Sequence, residues 1–131
     1  MSTVLSGRGD SAITTSYNRT QTQGSMTIKP PSATDLSAWI YLPIFGEIPG
    51  KSLDQLTVNF TSESATIKTV AVYHGSEKVL EERELEKSEA FSVPVCSREI
   101  TSTVEGLTVS IEVEFETPEA WLSLSSVSTA F

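Results

Sequence analysis

Glu112, Glu114 and Glu116 alternate with apolar residues in the run Glu112-Val113-Glu114-Phe115-Glu116. In an extended chain the three carboxylates project from one face, about 6–7 Å apart. Carboxylates so placed could serve glycoside hydrolysis, in which a pair about 5–5.5 Å apart acts as nucleophile and acid/base. The same row also reads as a wet face, where like charges keep an open sheet from pairing with another. A second set is aromatic: Trp39, Tyr41, Tyr73 and Trp121. A pyranose presents C–H groups that stack on such rings, so these four are candidate carbohydrate-binding residues. Trp39 and Tyr41 lie two residues apart and share a strand face, while Trp121 is out of phase with Leu122 and Leu124 and points outward. Such rings are more often core or interface packing than a sugar platform.

Other chemistry is sparsely represented. The single histidine, His74, stands before Gly75 in a turn-like setting, and the chain has no Gly-x-Ser-x-Gly nucleophile elbow. Cys96 is the single cysteine, which excludes an intramolecular disulfide and fits a small apolar filler at a strand end. One histidine and one cysteine do not make a tetrahedral zinc site. Asp10, Asp35 and Asp54 are scattered, without the spacing of a calcium loop. No metal or cofactor is therefore implied. Near the N-terminus, Arg8-Gly9-Asp10 matches an adhesion tripeptide, and Asn18-Arg19-Thr20 and Asn59-Phe60-Thr61 match glycosylation sequons. Both motifs need an extracellular chain, and the first residues carry neither the basic nor the apolar stretch of a signal peptide. The default expectation is a cytoplasmic protein, with secretion left open.

The elements that must position these groups are strands. In Leu107-Thr108-Val109-Ser110-Ile111-Glu112-Val113-Glu114-Phe115 every odd position is apolar and every even one polar, which specifies a strand with one buried face. Gly106 opens it and Thr117-Pro118 closes it. Gln55 to Phe60 turns Leu56, Val58 and Phe60 inward, and Ala90 to Val95 does the same with Phe91, Val93 and Val95. Pro94 then lies outward on an edge or at a strand end, because proline cannot donate to a ladder. Ala38 to Phe45 is apolar on both faces, which suits a strand covered on both sides or an interface between copies. Thr66 to Tyr73 slips phase near Lys68-Thr69, as a β-bulge would make it do. A short strand is expected at Ser25 to Lys29, ended by Pro30-Pro31, and a C-terminal one at Trp121 to Leu124. Residues 77–87 are strong helix formers but lack helical spacing, and read as a strand through Leu80 followed by a solvated charged segment, with a short helix as the alternative.

Length and charge narrow the class. The chain of 131 residues is one domain's worth, and 38% hydrophobic residues suffice for one core. A net charge of −8 disfavours nucleic acid and anionic membrane surfaces, which reward basic patches. No apolar run reaches the length of a membrane helix. The expected fold is all-β, a two-sheet antiparallel β-sandwich of about seven or eight strands. Residues 1–24, rich in Ser, Thr, Gln and Asn, are expected as an arm, either flexible, ordered as an extra edge strand or ordered by a partner, and 25–131 as the sandwich.

Two resemblances add to this reading. The Glu-Val-Glu-Phe-Glu run resembles the acidic strand signature of jelly-roll retaining glycosidases. Over residues 38–131 the chain resembles a family of small uncharacterised bacterial and fungal β-sandwich proteins. The matching pieces are Trp39-Ile40-Tyr41-Leu42-Pro43, Val72-Tyr73-His74-Gly75, the strand from Gly106 to Phe115, and Ser128-Thr129-Ala130-Phe131. The family pattern has Asp where this chain has His74, and a terminal acidic residue that is missing here. That resemblance implies a sandwich fold and a C-terminus that ends with the pattern, and it carries no activity. Three functions stay open: a non-catalytic binding module, with carbohydrate first among ligands; a small glycosidase using Glu112, Glu114 and Glu116; and a structural homo-oligomer.

Overall fold

Among the described residues the alternation of apolar and polar side chains is realised as eleven strands in two antiparallel sheets. The computed structural model describes residues 4–9, 12–14, 19–22, 24–44, 55–74, 77–94 and 107–130. In chain order the strands are β1 (Val4–Arg8), β2 (Ile13–Thr14), β3 (Arg19–Thr22), β4 (Ser25–Ile28), β5 (Ser37–Ile44), β6 (Gln55–Glu63), β7 (Ala65–His74), β8 (Glu77–Glu82), β9 (Phe91–Pro94), β10 (Leu107–Phe115) and β11 (Trp121–Ala130). One sheet runs β3-β4-β11-β6-β9, with β1 also paired to β11; the other runs β2-β5-β10-β7-β8. This is a β-sandwich.

The inward faces meet in one core. Ile40, Leu42, Ile67, Val72, Val109, Ile111 and Val113 line it from the five-stranded sheet, and Met26, Ile28, Leu56, Val58, Leu122 and Leu124 from the six-stranded one; all are fully buried. Strand β10 lies between β5 and β7, so its outward residues sit in the middle of their sheet. The slip near Lys68 is a bulge: Glu112 pairs with Thr69 and Val113 with Ile67, leaving Lys68 as the extra residue. It lets Ile67 and Val70 both face the core. Edge strand β9 carries Pro94 outward, as expected of a residue that cannot donate. Residues 77–87 form β8 and then a bridge between Lys87 and Ile67, with no helix.

The described stretches before Ser25 are built into both sheets: β1 on β11, β2 on β5 and β3 on β4. Composition conceals them because the residues they bury include the small Gly7, Gly9 and Ala12. Gly9 packs so tightly that a Cβ there would stand 1.8 Å from the Leu124 carbonyl oxygen. The adhesion-like tripeptide therefore begins inside the fold: Arg8 ends a strand, Gly9 is buried, and Asp10 lies outside the described residues. Cys96 and Asn18 also lie outside them, as does the His74 side chain. Asn59 sits within β6, and its Nδ2 donates to Ser126 Oγ at 3.1 Å. Among the described residues no helix is long and apolar enough to cross a membrane.

Candidate functional site

Strand β5 is apolar on both sides because its two faces have different tasks. Ala38, Ile40, Leu42 and Ile44 enter the core, which leaves Trp39, Tyr41 and Pro43 on the outside. The Trp39 and Tyr41 rings lie within 10° of parallel, with centroids 6.4 Å apart. Tyr41 is 37% exposed, unusual for a large ring with no core function. The neighbouring strand β2 steadies this edge, since Thr14 Oγ1 donates to the Trp39 carbonyl at 2.9 Å. Ile13, paired with Tyr41, is exposed on the same side.

Beside the rings the sheet surface is hollowed. Tyr41 pairs with Ser110 and Ser110 with Ala71, so two small side chains occupy the middle of that outward row. In the next row Trp39 pairs with Glu112, and Glu112 with Thr69. Thr69 Oγ1 donates to Glu112 Oε1 at 2.9 Å, which holds the carboxylate on the floor. Glu114 follows along β10, exposed. The far wall is the segment after β8, from Arg83 to Glu86. It is tied down by the bulge, because the Leu85 amide donates to the Lys68 carbonyl at 2.9 Å and the Ile67 amide to the Lys87 carbonyl at 2.8 Å. Glu84 takes a left-handed conformation, φ 58°, at the bend. Trp39, Thr69, Glu112, Glu114 and the Arg83–Glu86 wall line an open groove of about 630 Å³.

Charge in the groove is organised around Glu81. Arg83 Nε donates to its Oε1 at 2.7 Å and Lys78 Nζ to its Oε2 at 2.9 Å. The Arg83 guanidinium and then the Lys78 ammonium hold the Glu81 carboxyl below the usual glutamate range. The same hydrogen bonds raise Arg83 and Lys78. Lys68 Nζ lies 3.5 Å from Glu86 Oε1 across the wall. The groove therefore offers carboxylate acceptors, cationic donors and an aromatic flank.

The structure sorts the sequence candidates. Trp39, Tyr41 and Tyr73 stand on the outer face of the five-stranded sheet, and Tyr73 lies beyond the groove with Lys78 Nζ 6.0 Å from its ring centroid. Trp121 is on the other sheet, on the opposite side of the molecule. Glu112 and Glu114 line the groove, whereas Glu116 follows the end of β10 and is exposed outside it. Thr69, Glu81 and Arg83 were not singled out by spacing: Thr69 is disguised by the bulge, and the other two by a charge run that reads as solvated. Among the described residues no group of three His, Cys, Asp or Glu side chains converges to hold a metal.

No family model matches the chain, and no curated protein matches it. Solved structures do share the fold. A low-affinity xylan binding module, CBM86, from the gut symbiont Roseburia intestinalis superposes with a TM-score of 0.56 at 14% identity, covering 98% of this chain and 94% of that one. A chitosan-binding module from a chitosanase/glucanase of Paenibacillus sp. IK-5 gives 0.54 at 12% identity, covering 94% and 96%. A family 29 carbohydrate binding module gives 0.52 at 10% identity, covering 99% and 89%.

Proposed function

We propose that the protein is a non-catalytic carbohydrate-binding module whose ligand lies across the outer face of the five-stranded sheet. The carrying observation is the parallel Trp39–Tyr41 pair on the outer face, of which Trp39 lines an open groove. Two rings spaced along one strand offer apolar faces to the C–H groups of successive sugars. The carboxylates of Glu112 and Glu114 accept hydrogen bonds from sugar hydroxyls, and Arg83 and Lys68 donate to ring and hydroxyl oxygens. An open groove admits the middle of a long chain, where a closed pocket would demand an end. Sandwiches of this shape that bind xylan, chitosan or other carbohydrate support the reading.

The test is affinity electrophoresis through gels containing soluble xylan, mannan, substituted cellulose or chitosan. At least one polysaccharide retards the protein, and Trp39→Ala weakens that retardation. Unretarded migration through the whole panel would overturn the proposal. A parallel assay for reducing ends addresses the glycosidase alternative. No release is expected; release that disappears in Glu112→Gln and Glu114→Gln would replace binding with hydrolysis.

A further inference from the structure

The six-stranded sheet also has an aromatic on its outer face. Trp121 opens β11 and points away from the core, since Leu122 and Leu124 are fully buried. A large ring on a wet sheet face contributes little to the core. This one is nevertheless held in place: its Nε1 donates to Glu63 Oε2 at 3.1 Å, across the register pair Trp121–Glu63. Beside it lie the hydroxyls of Thr27, Thr61 and Ser123, with Thr27 Oγ1 donating to Ser123 Oγ at 3.1 Å, and Lys29 completes the border of a shallow, open depression. A fixed indole face surrounded by hydroxyls, with one ammonium at the edge, matches a saccharide: C–H groups against the ring, hydroxyls against hydroxyls.

We infer that Trp121 forms a second saccharide site, on the face opposite the first, so that one molecule bridges two glycan chains. The ligand class rests on the function proposed above; the site rests on separate residues. The core separates the two faces, because packed sheets stand about 10 Å apart, and a single extended sugar segment does not reach both. Simultaneous binding therefore joins two chains, and on a polysaccharide matrix it adds avidity without new contacts.

The chain has two tryptophans, one on each face, so each indole N–H resonance reports one site. Cellohexaose, mannohexaose and chitosan hexamer serve as probes, with soluble xylan for bridging. With a hexasaccharide that binds, both indole signals shift and saturate. In Trp39→Ala the Trp121 signal still titrates, with a midpoint within twofold of the wild type; in Trp121→Ala the Trp39 signal does the same. Light scattering from xylan or the matching polysaccharide rises with wild-type protein and falls at least tenfold in either variant. Trp121→Phe, which keeps a ring, guards against misfolding of the alanine variant and retains part of the scattering.

A Trp39 signal that titrates while the Trp121 signal stays still would overturn the second site and leave the first intact. So would a Trp121→Ala variant that loses thermal stability but keeps full scattering. Two silent indoles, with no retardation in gels, would remove the carbohydrate reading itself.

Discussion

At the residue scale, Gly9 shows how a single missing Cβ holds the N-terminal strand in place. It passes so near the β11 backbone that even a methyl group collides with the Leu124 carbonyl. Gly9→Ala is expected to cost roughly 2–3 kcal/mol, as overpacking against backbone does, visible as a lower midpoint in urea. An unchanged midpoint would mean that β1 and β4 do not meet β11 as described. Glu81 makes a second residue-scale prediction. Its folded-state value is depressed by Arg83 and Lys78. A depressed carboxylate contributes stability above its unfolded value, and the contribution is lost as pH falls through the folded one. The Lys78–Glu81–Arg83 cluster thus persists into acid somewhat below the ordinary glutamate range. Carboxyl carbon NMR should place the Glu81 midpoint below those of typical exposed glutamates and restore it upward in Arg83→Ala; a midpoint at or above them in the wild type would contradict the geometry.

At the scale of elements, the bulge in β7 connects core to groove. Lys68 is the extra residue, and its carbonyl anchors Leu85 in the groove wall. Deleting Lys68 leaves Ile67 and Val70 in the right phase for the core, so the sandwich is expected to fold with a loss of about 1–2 kcal/mol, in the ordinary range for a single change. The wall loses its anchor at Leu85 and keeps the one at Lys87, and sugar affinity is expected to fall several-fold in titration calorimetry. Full affinity with the deletion would show that the wall does not contribute. The bulge itself was legible, because apolar residues at 67, 70 and 72 cannot share a face at period two without one extra residue. So were β10, β6 and the outward Pro94, since each follows from alternation or from a missing donor. The strands before Ser25 were not, because Gly7, Gly9 and Ala12, which they bury, are too small to mark a strand by alternation. The groove wall was equally hidden: Glu81 and Arg83 belong to a charge run, and only the folded arrangement, with Glu81 paired to Ala71, brings them to the groove that Thr69 lines.

At the scale of the whole molecule, alternation tells which way a side chain faces but not which sheet it belongs to. Trp39, Tyr41, Tyr73 and Trp121 form a single set of candidate rings in the sequence. Strand order separates them, three on one face and one on the other. The groove lining carries Glu81, Glu84, Glu86, Glu112 and Glu114 beside Lys68 and Arg83, whereas Lys29 and Glu63 stand beside Trp121. The measurement that tests the central claim most directly is titration calorimetry of the wild type, Trp39→Ala and Tyr41→Ala with the polysaccharide that most retards the protein in gels. Loss of an aromatic contact at the centre of a binding face costs about 2 kcal/mol or more, roughly thirtyfold in affinity. The account predicts a drop of that order at the five-stranded face in each variant, with melting temperatures close to wild type. Equal affinity in all three proteins would contradict it, and would place the binding face elsewhere on the molecule.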